Sequence, residues 1–206
     1  GTRGLLVGGY NPSNQYLDEI VYINLATTGN SLTFGELTVS DRNHVHSCTS
    51  DRTRGISAGG SKAPGVITAD IEFVTIASTG NAIDFGADLT LARYSAAVAS
   101  NGTRGLFAGG YSPGSPQNDV IDYITIQSTG VAAQDFGNLT NARRYIMASF
   151  SSSTRGIFAG GGEPGLVNNV DFITMSTLGN AADFGDCSTV GQGAHGSSIS
   201  SNSVRG

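Results

Sequence analysis

The chain has 206 residues, of which 11 are basic and 16 acidic, so its net charge is −5 and only 13% of its residues are charged. Soluble domains usually carry about 25% charged residues, and surfaces that bind nucleic acid need clustered lysines and arginines. Nucleic acid is therefore not an expected partner. No apolar run approaches the roughly 18 residues of a membrane-spanning helix, so membrane insertion is not expected either.

A repeat of about 50 residues is the strongest pattern in the chain. The tripeptide Thr-Arg-Gly has its arginine at positions 3, 54, 104 and 155, which gives intervals of 51, 50 and 51 residues. Each start runs into a short apolar stretch that ends in two glycines, at 8–9, 59–60, 109–110 and 160–161. Self-similarity at this period is typical of propellers and solenoids. We divide the chain into repeats 2–52, 53–102, 103–153 and 154–203.

Each repeat contains the same elements in the same order. The apolar stretch predicts one strand, and after a variable loop an alternating segment such as 121–124 predicts a second. A turn then leads to a phenylalanine followed by glycine, at positions 34, 85, 136 and 184, which predicts a third strand. A strand of small residues, such as 94–100, closes the repeat. Glycines and β-branched residues interrupt every helical window, so the pattern predicts an all-β propeller with one four-stranded blade per repeat.

An arginine, a hydrophobic strand that ends in Gly-Gly, an aromatic residue in the next strand and another about twelve residues later recur along the whole chain. This pattern resembles the kelch repeat. Two features depart from it: phenylalanine stands where kelch repeats usually carry tryptophan, and Val7, Ala58, Ala108 and Ala159 replace the tyrosine before Gly-Gly. The resemblance implies a kelch-like β-propeller of four blades, each with four antiparallel strands, in a single domain over residues 1–206.

Repeat 3 contains three longer phrases that the other repeats follow in part: Thr-Arg-Gly-hydrophobic-Phe-Ala-Gly-Gly, Tyr-Ile-Thr-Ile-x-Ser-Thr-Gly and Asp-Phe-Gly-x-Leu-Thr-x-Ala-Arg. This wording is similar to repeats in virion structural and tail-fibre proteins of marine bacteriophages. The similarity implies a location in the virion or outside the cell. It also implies assembly with other virion proteins or with further copies of the chain, and a host-surface glycan or protein as the candidate ligand.

Repeat 1 lacks an inner strand, whereas residues 194–201 form a surplus one after repeat 4. We expect 194–201 to pair with 5–9, because this pairing would close a four-blade ring and cover two open sheet edges. The alternative is a fragment of a larger propeller, since Val204-Arg205-Gly206 resembles another repeat start. The strand order also predicts that Cys48, on an inner strand, and Cys187, after an outer strand, lie too far apart to form a disulfide.

The loops that follow the two glycines vary between repeats, and loops on a rigid scaffold are where binding usually resides. Their aromatic and amide side chains can stack on and hydrogen-bond a sugar or a protein surface. The candidate binding residues are Tyr10, Asn11, Asn14, Tyr16, Tyr111, Gln117 and Asn118. An equally good interpretation is that these loops are ordinary tolerant surface.

A weak metal candidate consists of His44, His46, Cys48 and His195. The first three alternate on one strand face, and His195 takes the matching place in 194–201. We align position 44 with Tyr94 and Tyr145, and position 48 with Val98 and Ser149, so a packing role between blades is favoured and no metal site is predicted.

The repeated Thr-Arg-Gly arginines raise the question of an anion site in a pore, since guanidinium groups suit carboxylates and phosphates. Their recurrence favours scaffolding, either with repeated acids such as Asp84, Asp135 and Asp183 or with backbone carbonyls at a blade edge. No motif gathers a nucleophile, a base and an acid, and no Lys-Ser/Thr follows the double glycines. Neither an enzyme nor a cofactor is expected.

The sequence therefore favours a non-catalytic structural or binding protein, namely a bacteriophage virion or tail-appendage component that recognises a host surface through its inter-strand loops. The alternatives are a secreted or cell-surface kelch-type carbohydrate-binding module and an intracellular interaction adaptor.

Overall fold

The computed structural model of the chain describes residues 2–11, 13, 16–38, 42–44, 47–62, 65–146, 148–162, 165–188 and 198–199. Within these residues the regular elements are β-strands, and no helix is long and apolar enough to cross a membrane. The strands in chain order are β1 (Arg3–Tyr10), β2 (Tyr16–Asn24), β3 (Leu32–Glu36), β4 (Arg42–His44), β5 (Ser47–Ser50), β6 (Arg54–Ala58), β7 (Ser61–Lys62), β8 (Val66–Ile67), β9 (Asp70–Thr75), β10 (Ile83–Asp88), β11 (Ala97–Ser100), β12 (Arg104–Ala108), β13 (Asn118–Thr125), β14 (Gln134–Arg143), β15 (Ala148–Ser151), β16 (Arg155–Gly162), β17 (Leu166–Thr174), β18 (Ala182–Asp186) and β19 (Ser198–Ile199).

The strands form four blades that follow one another along the chain. Blade 1 has the order β1-β2-β3, blade 2 β5-β6-β9-β10, blade 3 β11-β12-β13-β14 and blade 4 β15-β16-β17-β18. Neighbouring strands within a blade are antiparallel. A further small sheet consists of β4, β7 and β8. The blades are arranged as a four-blade β-propeller, which confirms the fold class predicted from the repeat.

The hydrophobic core lies between neighbouring blades. Because side chains alternate along a strand, each blade presents one apolar face to the preceding blade and one to the following blade. The cluster between blades 2 and 3 includes Ile56, Phe73, Phe85, Phe107 and Ile126, and the cluster between blades 3 and 4 includes Leu106, Phe136, Phe158, Ile173 and Met175. The predicted burial of Phe85 and Phe136 is confirmed, since their exposed fractions are 1% and 2%.

The predicted closing strand pairs with a different partner. Ser198 and Ile199 lie parallel to Ala148 and Ser149 of β15, so the prediction that this segment pairs with residues 5–9 is wrong for its described part. Counting the predicted strands correctly indicated that blade 1 lacks an inner strand beside β1. However, β15 of blade 4 also offers an open row of backbone donors and acceptors towards the axis. Ser197-Ser198 and Ser200-Ser201 around Ile199 have little apolar surface that would favour one edge over the other.

The Thr-Arg-Gly arginines connect each blade to the next one. The Nη1 atoms of Arg3, Arg54 and Arg104 donate to the carbonyls of Ile76, Ile126 and Met175 at 2.8–3.0 Å. Their guanidinium carbons lie 4.5–4.9 Å from the centroid of an aromatic ring in their own blade. The predicted pairing with backbone carbonyls is therefore confirmed. The alternative pairing with Asp84, Asp135 and Asp183 is wrong, because these carboxylates accept from the backbone N–H of the glycine two residues later.

The second set of repeated arginines forms buried ion pairs across two blade interfaces. Arg93 Nη2 lies 2.9 Å from Asp122 Oδ2, and Arg143 Nη2 lies 3.1 Å from Asp171 Oδ2. Burial lowers the pKa of Arg93, and the charge of Asp122 opposes this shift.

Cys48 and Cys187 are both free thiols, which confirms that they do not bridge.

Candidate functional site

The loop that follows the two glycines of blade 3 meets the segment between Arg93 and β11. Gly110 allows this close approach, because a Cβ atom there would lie 2.7 Å from the Tyr94 carbonyl oxygen. Tyr94 and Tyr111 then exchange two backbone hydrogen bonds, of 3.0 and 2.9 Å. The close approach at glycine and this isolated bridge place the two tyrosine side chains next to each other.

The two rings are stacked, with centroids 4.9 Å apart and an interplanar angle of 29°. The guanidinium carbon of Arg144 lies 5.2 Å from the centroid of Tyr111 and 4.9 Å from that of Tyr145. Cation–π contacts of this kind contribute about 0.5–1 kcal/mol at exposed sites. We call Tyr94, Tyr111, Arg144 and Tyr145 the tyrosine–arginine cluster.

The pKa of Tyr94 is raised from 10.0 to about 12. Partial burial is the largest cause, followed by a hydrogen bond to Tyr145 and by the negative charges that Tyr145 and Tyr111 would carry as phenolates. The positive charge of Arg144 opposes the shift. The phenol of Tyr94 thus stays neutral to a higher pH than that of an ordinary tyrosine, and in this form it can donate a hydrogen bond.

The cluster corrects the alignment of position 44. His44 pairs with Ser61, Tyr94 with Tyr111, and Arg144 with Gly162, so Arg144 rather than Tyr145 is equivalent to position 44. Blade 4 has one residue more between this bridging position and its inner strand, since β15 begins four residues after Arg144, whereas β5 and β11 begin three residues after His44 and Tyr94. Inspection of the sequence missed Tyr94 and Arg144 as site residues. The available signal was that each directly follows a repeated arginine.

The predicted binding residues occupy different environments. Tyr111 is half-buried and belongs to the tyrosine–arginine cluster. Asn118 is buried, and its amide donates to the carbonyls of Gly110 and Ser115 at 3.2 Å, so its side chain holds the loop in shape. The carbonyl of Gln117 accepts from the Ser115 hydroxyl, which is a local loop contact.

The remaining loop candidates belong to blade 1. Tyr10 and Tyr16 are opposite each other at the ends of β1 and β2. The Asn11 side chain accepts a hydrogen bond from the Ser13 N–H at 2.9 Å. Asn14 lies outside the described residues. Among the predicted residues whose side chains the structure describes, Tyr111 is the one that belongs to a stacked aromatic group.

The weak metal candidate is only partly described. His44 is in β4 and Cys48 is in β5 with an exposed side chain, whereas His46 and His195 lie outside the described residues. Across the part of the chain that the structure describes, no group of three or more His, Cys, Asp or Glu side chains is placed to hold a metal ion.

A cavity of about 1130 Å³ extends from β1 to the turns that follow the inner strands of blades 2, 3 and 4. Asp51, Asn101 and Ser152 occupy equivalent places in these turns, and each side-chain oxygen accepts from the backbone N–H groups two and three residues later. Partial burial raises the pKa of Asp51, but these bonds and one from Gln127 outweigh it and lower the pKa overall. The carboxylate of Asp51 is thus already used to hold its turn.

No protein-family model matches this chain, and no curated protein matches it in sequence. The fold described above therefore rests on the structure.

Proposed function

We propose that the chain is a non-catalytic structural and binding protein, and specifically a bacteriophage virion or tail-appendage component that recognises a host-surface glycan through its inter-strand loops. The observation that carries the binding role is the tyrosine–arginine cluster. Its stacked rings are held by backbone bonds and by Arg144, so a ligand would pay little to order them. Flat, half-exposed aromatic rings beside hydrogen-bonding groups suit the apolar faces and hydroxyls of sugars.

The structural role is supported by the way in which the repeated polar residues are used. Arg93 and Arg143 are paired with buried aspartates, and Arg3, Arg54 and Arg104 bind carbonyls of the next blade. These groups hold blades together, and a rigid, repetitive scaffold with variable loops suits a virion appendage. The wording of the repeats supports a virion protein over other extracellular proteins.

The alternative is a secreted or cell-surface kelch-type carbohydrate-binding module, which the same aromatic cluster favours. Localisation separates the two proposals. Antibodies against the chain should label purified bacteriophage particles by immunogold electron microscopy if it is a virion component. Labelling of cell surfaces or secreted material alone would support the carbohydrate-binding module instead.

Binding is tested with Tyr111→Ser. Blade 2 has Ser61 at the equivalent place after its two glycines, so this fold accommodates serine there. Glycan-array screening of the wild-type chain should identify a bound sugar, and calorimetry should then show at least a tenfold loss of affinity in the variant. Val66→Ser, in the corresponding loop of blade 2, is the control and should bind like wild type. Equal binding by all three proteins would exclude the tyrosine–arginine cluster as the site.

A further inference from the structure

The three internal blade interfaces all use the same two surfaces. On blade 3, the forward face contains Leu106, Tyr123 and Phe136 and points to blade 4. On blade 4, the backward face contains Phe158, Ile173 and Met175 and receives it. We use forward face and backward face for the equivalent residues of every blade. Each interface is therefore heterologous, with one forward face packed against one backward face.

The forward face of blade 4 is open in the described structure. Its residues are Ile157, Phe172 and Phe184 by the shared strand registers. Phe184 is 53% exposed, whereas its equivalents Phe34, Phe85 and Phe136 are 3%, 1% and 2% exposed. Arg155 stacks on Phe172 at 5.0 Å as its equivalents stack in their own blades, but its side chain is exposed. This surface therefore has the same kinds of residues as the buried faces between blades, but it is exposed to solvent.

The backward face of blade 1 is open as well. Leu6, Ile23 and Leu25 are exposed by 53%, 38% and 62%. Their equivalents in blade 4, Phe158, Ile173 and Met175, are exposed by 0–2%. The chain thus carries both halves of one blade interface, one half at each end of the blade series, and the two halves do not cover each other.

The backbone groups of these two faces match as well. At each internal interface the carbonyl of the forward-face phenylalanine accepts from the N–H of a turn glycine in the next blade, as in Gly80 to Phe34, Gly130 to Phe85 and Gly179 to Phe136, at 2.7–2.8 Å. Blade 4 offers the Phe184 carbonyl at this place, and blade 1 offers the Gly29 N–H. Asn81 and Asn180 also accept a backbone N–H from the preceding blade, and Asn30 is their equivalent in blade 1.

The charged groups point to blade 1 as the specific partner of blade 4. Interfaces 2–3 and 3–4 bury an arginine from one blade against an aspartate of the next. Blade 1 has Val21 in the position of these aspartates, and in sequence Gly191 stands where blade 4 should have the arginine. Losing only one partner would leave a buried unpaired charge, which is strongly destabilising. Both partners are absent together, so these two faces suit each other and not an ordinary interior blade.

We infer that the forward face of blade 4 binds the backward face of blade 1 in a second copy of this chain. In this contact, blade 4 of one copy and blade 1 of the next use the same kinds of apolar, backbone and arginine–carbonyl groups that hold the blades together within one chain. When a heterologous contact is repeated from copy to copy, the product is a ring if the rotation between copies brings the last one back to the first, and a filament if it does not. This inference does not depend on the proposed recognition of a glycan.

The test is a complementation of two blocked variants. Phe184→Asp blocks the forward face of blade 4, and Leu25→Asp blocks the backward face of blade 1. In light scattering coupled to size-exclusion chromatography under reducing conditions, the wild-type chain should exceed its monomer mass of 21.1 kDa, and each variant alone should elute as a monomer. An equimolar mixture of the two variants should form a 1:1 dimer, because each variant supplies the face that the other lacks.

The control is Val66→Asp, which places the same charge on an equally exposed apolar residue, 58% exposed, in a peripheral strand and should assemble like wild type. Circular dichroism melts check that every variant is folded. A wild-type chain that stays monomeric at all concentrations, or a mixture of folded variants that yields only monomers, would overturn the inference. A folded double variant, Leu25→Asp/Phe184→Asp, has both faces blocked and should remain monomeric.

Discussion

At the scale of single residues, the repeated arginines divide into two classes with different partners. Arg3, Arg54 and Arg104 stay partly exposed and bind a carbonyl, whereas Arg93 and Arg143 are buried and bind a carboxylate. Two of the Arg93 nitrogens, Nε and Nη1, have no hydrogen-bond partner in the structure. The clearest contribution of the ion pair is to fix which blade faces meet.

Asp122→Ala should destabilise the fold strongly. Asp122 accepts from the Thr90 N–H, the Thr90 hydroxyl and Arg93, and its loss leaves the Arg93 charge buried. Removal of one partner of a buried pair costs about 3–5 kcal/mol, which urea unfolding measures. Asp84→Ala is the control, because that exposed carboxylate only caps Gly86 and should cost about 1 kcal/mol. Arg93→Met/Asp122→Val should lose less than Asp122→Ala. Equal losses in all variants would contradict the buried-charge explanation.

The shifted pKa of Tyr94 predicts alkaline behaviour. Its folded pKa, about 12, is above its ordinary value of 10.0, so its contribution to stability is complete below pH 10 and is lost as the pH rises through 12. Titration of tyrosinate absorbance should show one group ionising near pH 12, and Tyr94→Phe should remove it. Tyr22→Phe, outside the cluster, should leave that step in place. A titration with all tyrosines ionising near their ordinary pKa would contradict the geometry of the cluster.

At the scale of elements, Phe-Gly strands define the blade core. Phe85→Ala and Phe136→Ala should each cost about 3–5 kcal/mol, the usual range for a buried aromatic residue, because their rings are 1% and 2% exposed. Phe184→Ala is the matched control at 53% exposure and should cost far less in a dilute monomer. Thermal or urea unfolding compares the three. Similar losses at all three positions would mean that the third strand of blade 4 is covered.

The strands themselves were predictable because their signals are local. Alternation in segments such as 121–124 and the recurring Gly-Gly and Phe-Gly pairs specify which side of each strand is buried, and the buried phenylalanines follow from this. The partner of the closing segment was not predictable, since β1 and β15 both offer an open backbone edge. The tyrosine–arginine cluster was missed for a similar reason: one additional residue between the bridging position and the inner strand of blade 4 changes which side chain bridges to the Gly-Gly loop.

At the scale of the whole molecule, the described residues of the four blades form three internal interfaces and leave two faces open. A closed propeller protects every sheet face by returning to its first blade. Here the apolar residues of blades 1 and 4 stay exposed although their equivalents are buried, so closure within the described chain is incomplete. A second copy is the partner that supplies the missing surfaces in the correct orientation.

Two equivalent glycines distinguish an internal interface from an open one. Gly137 and Gly185 both have left-handed backbones, with φ of +145° and +134°, so alanine costs similar backbone strain at each. A Cβ atom on Gly137 would also collide with the backbone of Gly179 and Asn180, whereas one on Gly185 would meet nothing within 4 Å. Gly137→Ala should therefore lower the free energy of unfolding by about 1–3 kcal/mol more than Gly185→Ala does in dilute monomer.

Self-association should show the reverse order, because in a second copy the turn at Gly29 would lie against Gly185 as Gly179 lies against Gly137. We expect folded Gly185→Ala to remain monomeric at concentrations at which wild type assembles, as measured by sedimentation velocity. Assembly of Gly185→Ala like wild type would show that copies associate through a different surface. A loss of stability equal to that of Gly137→Ala would show instead that the forward face of blade 4 is already covered within the chain.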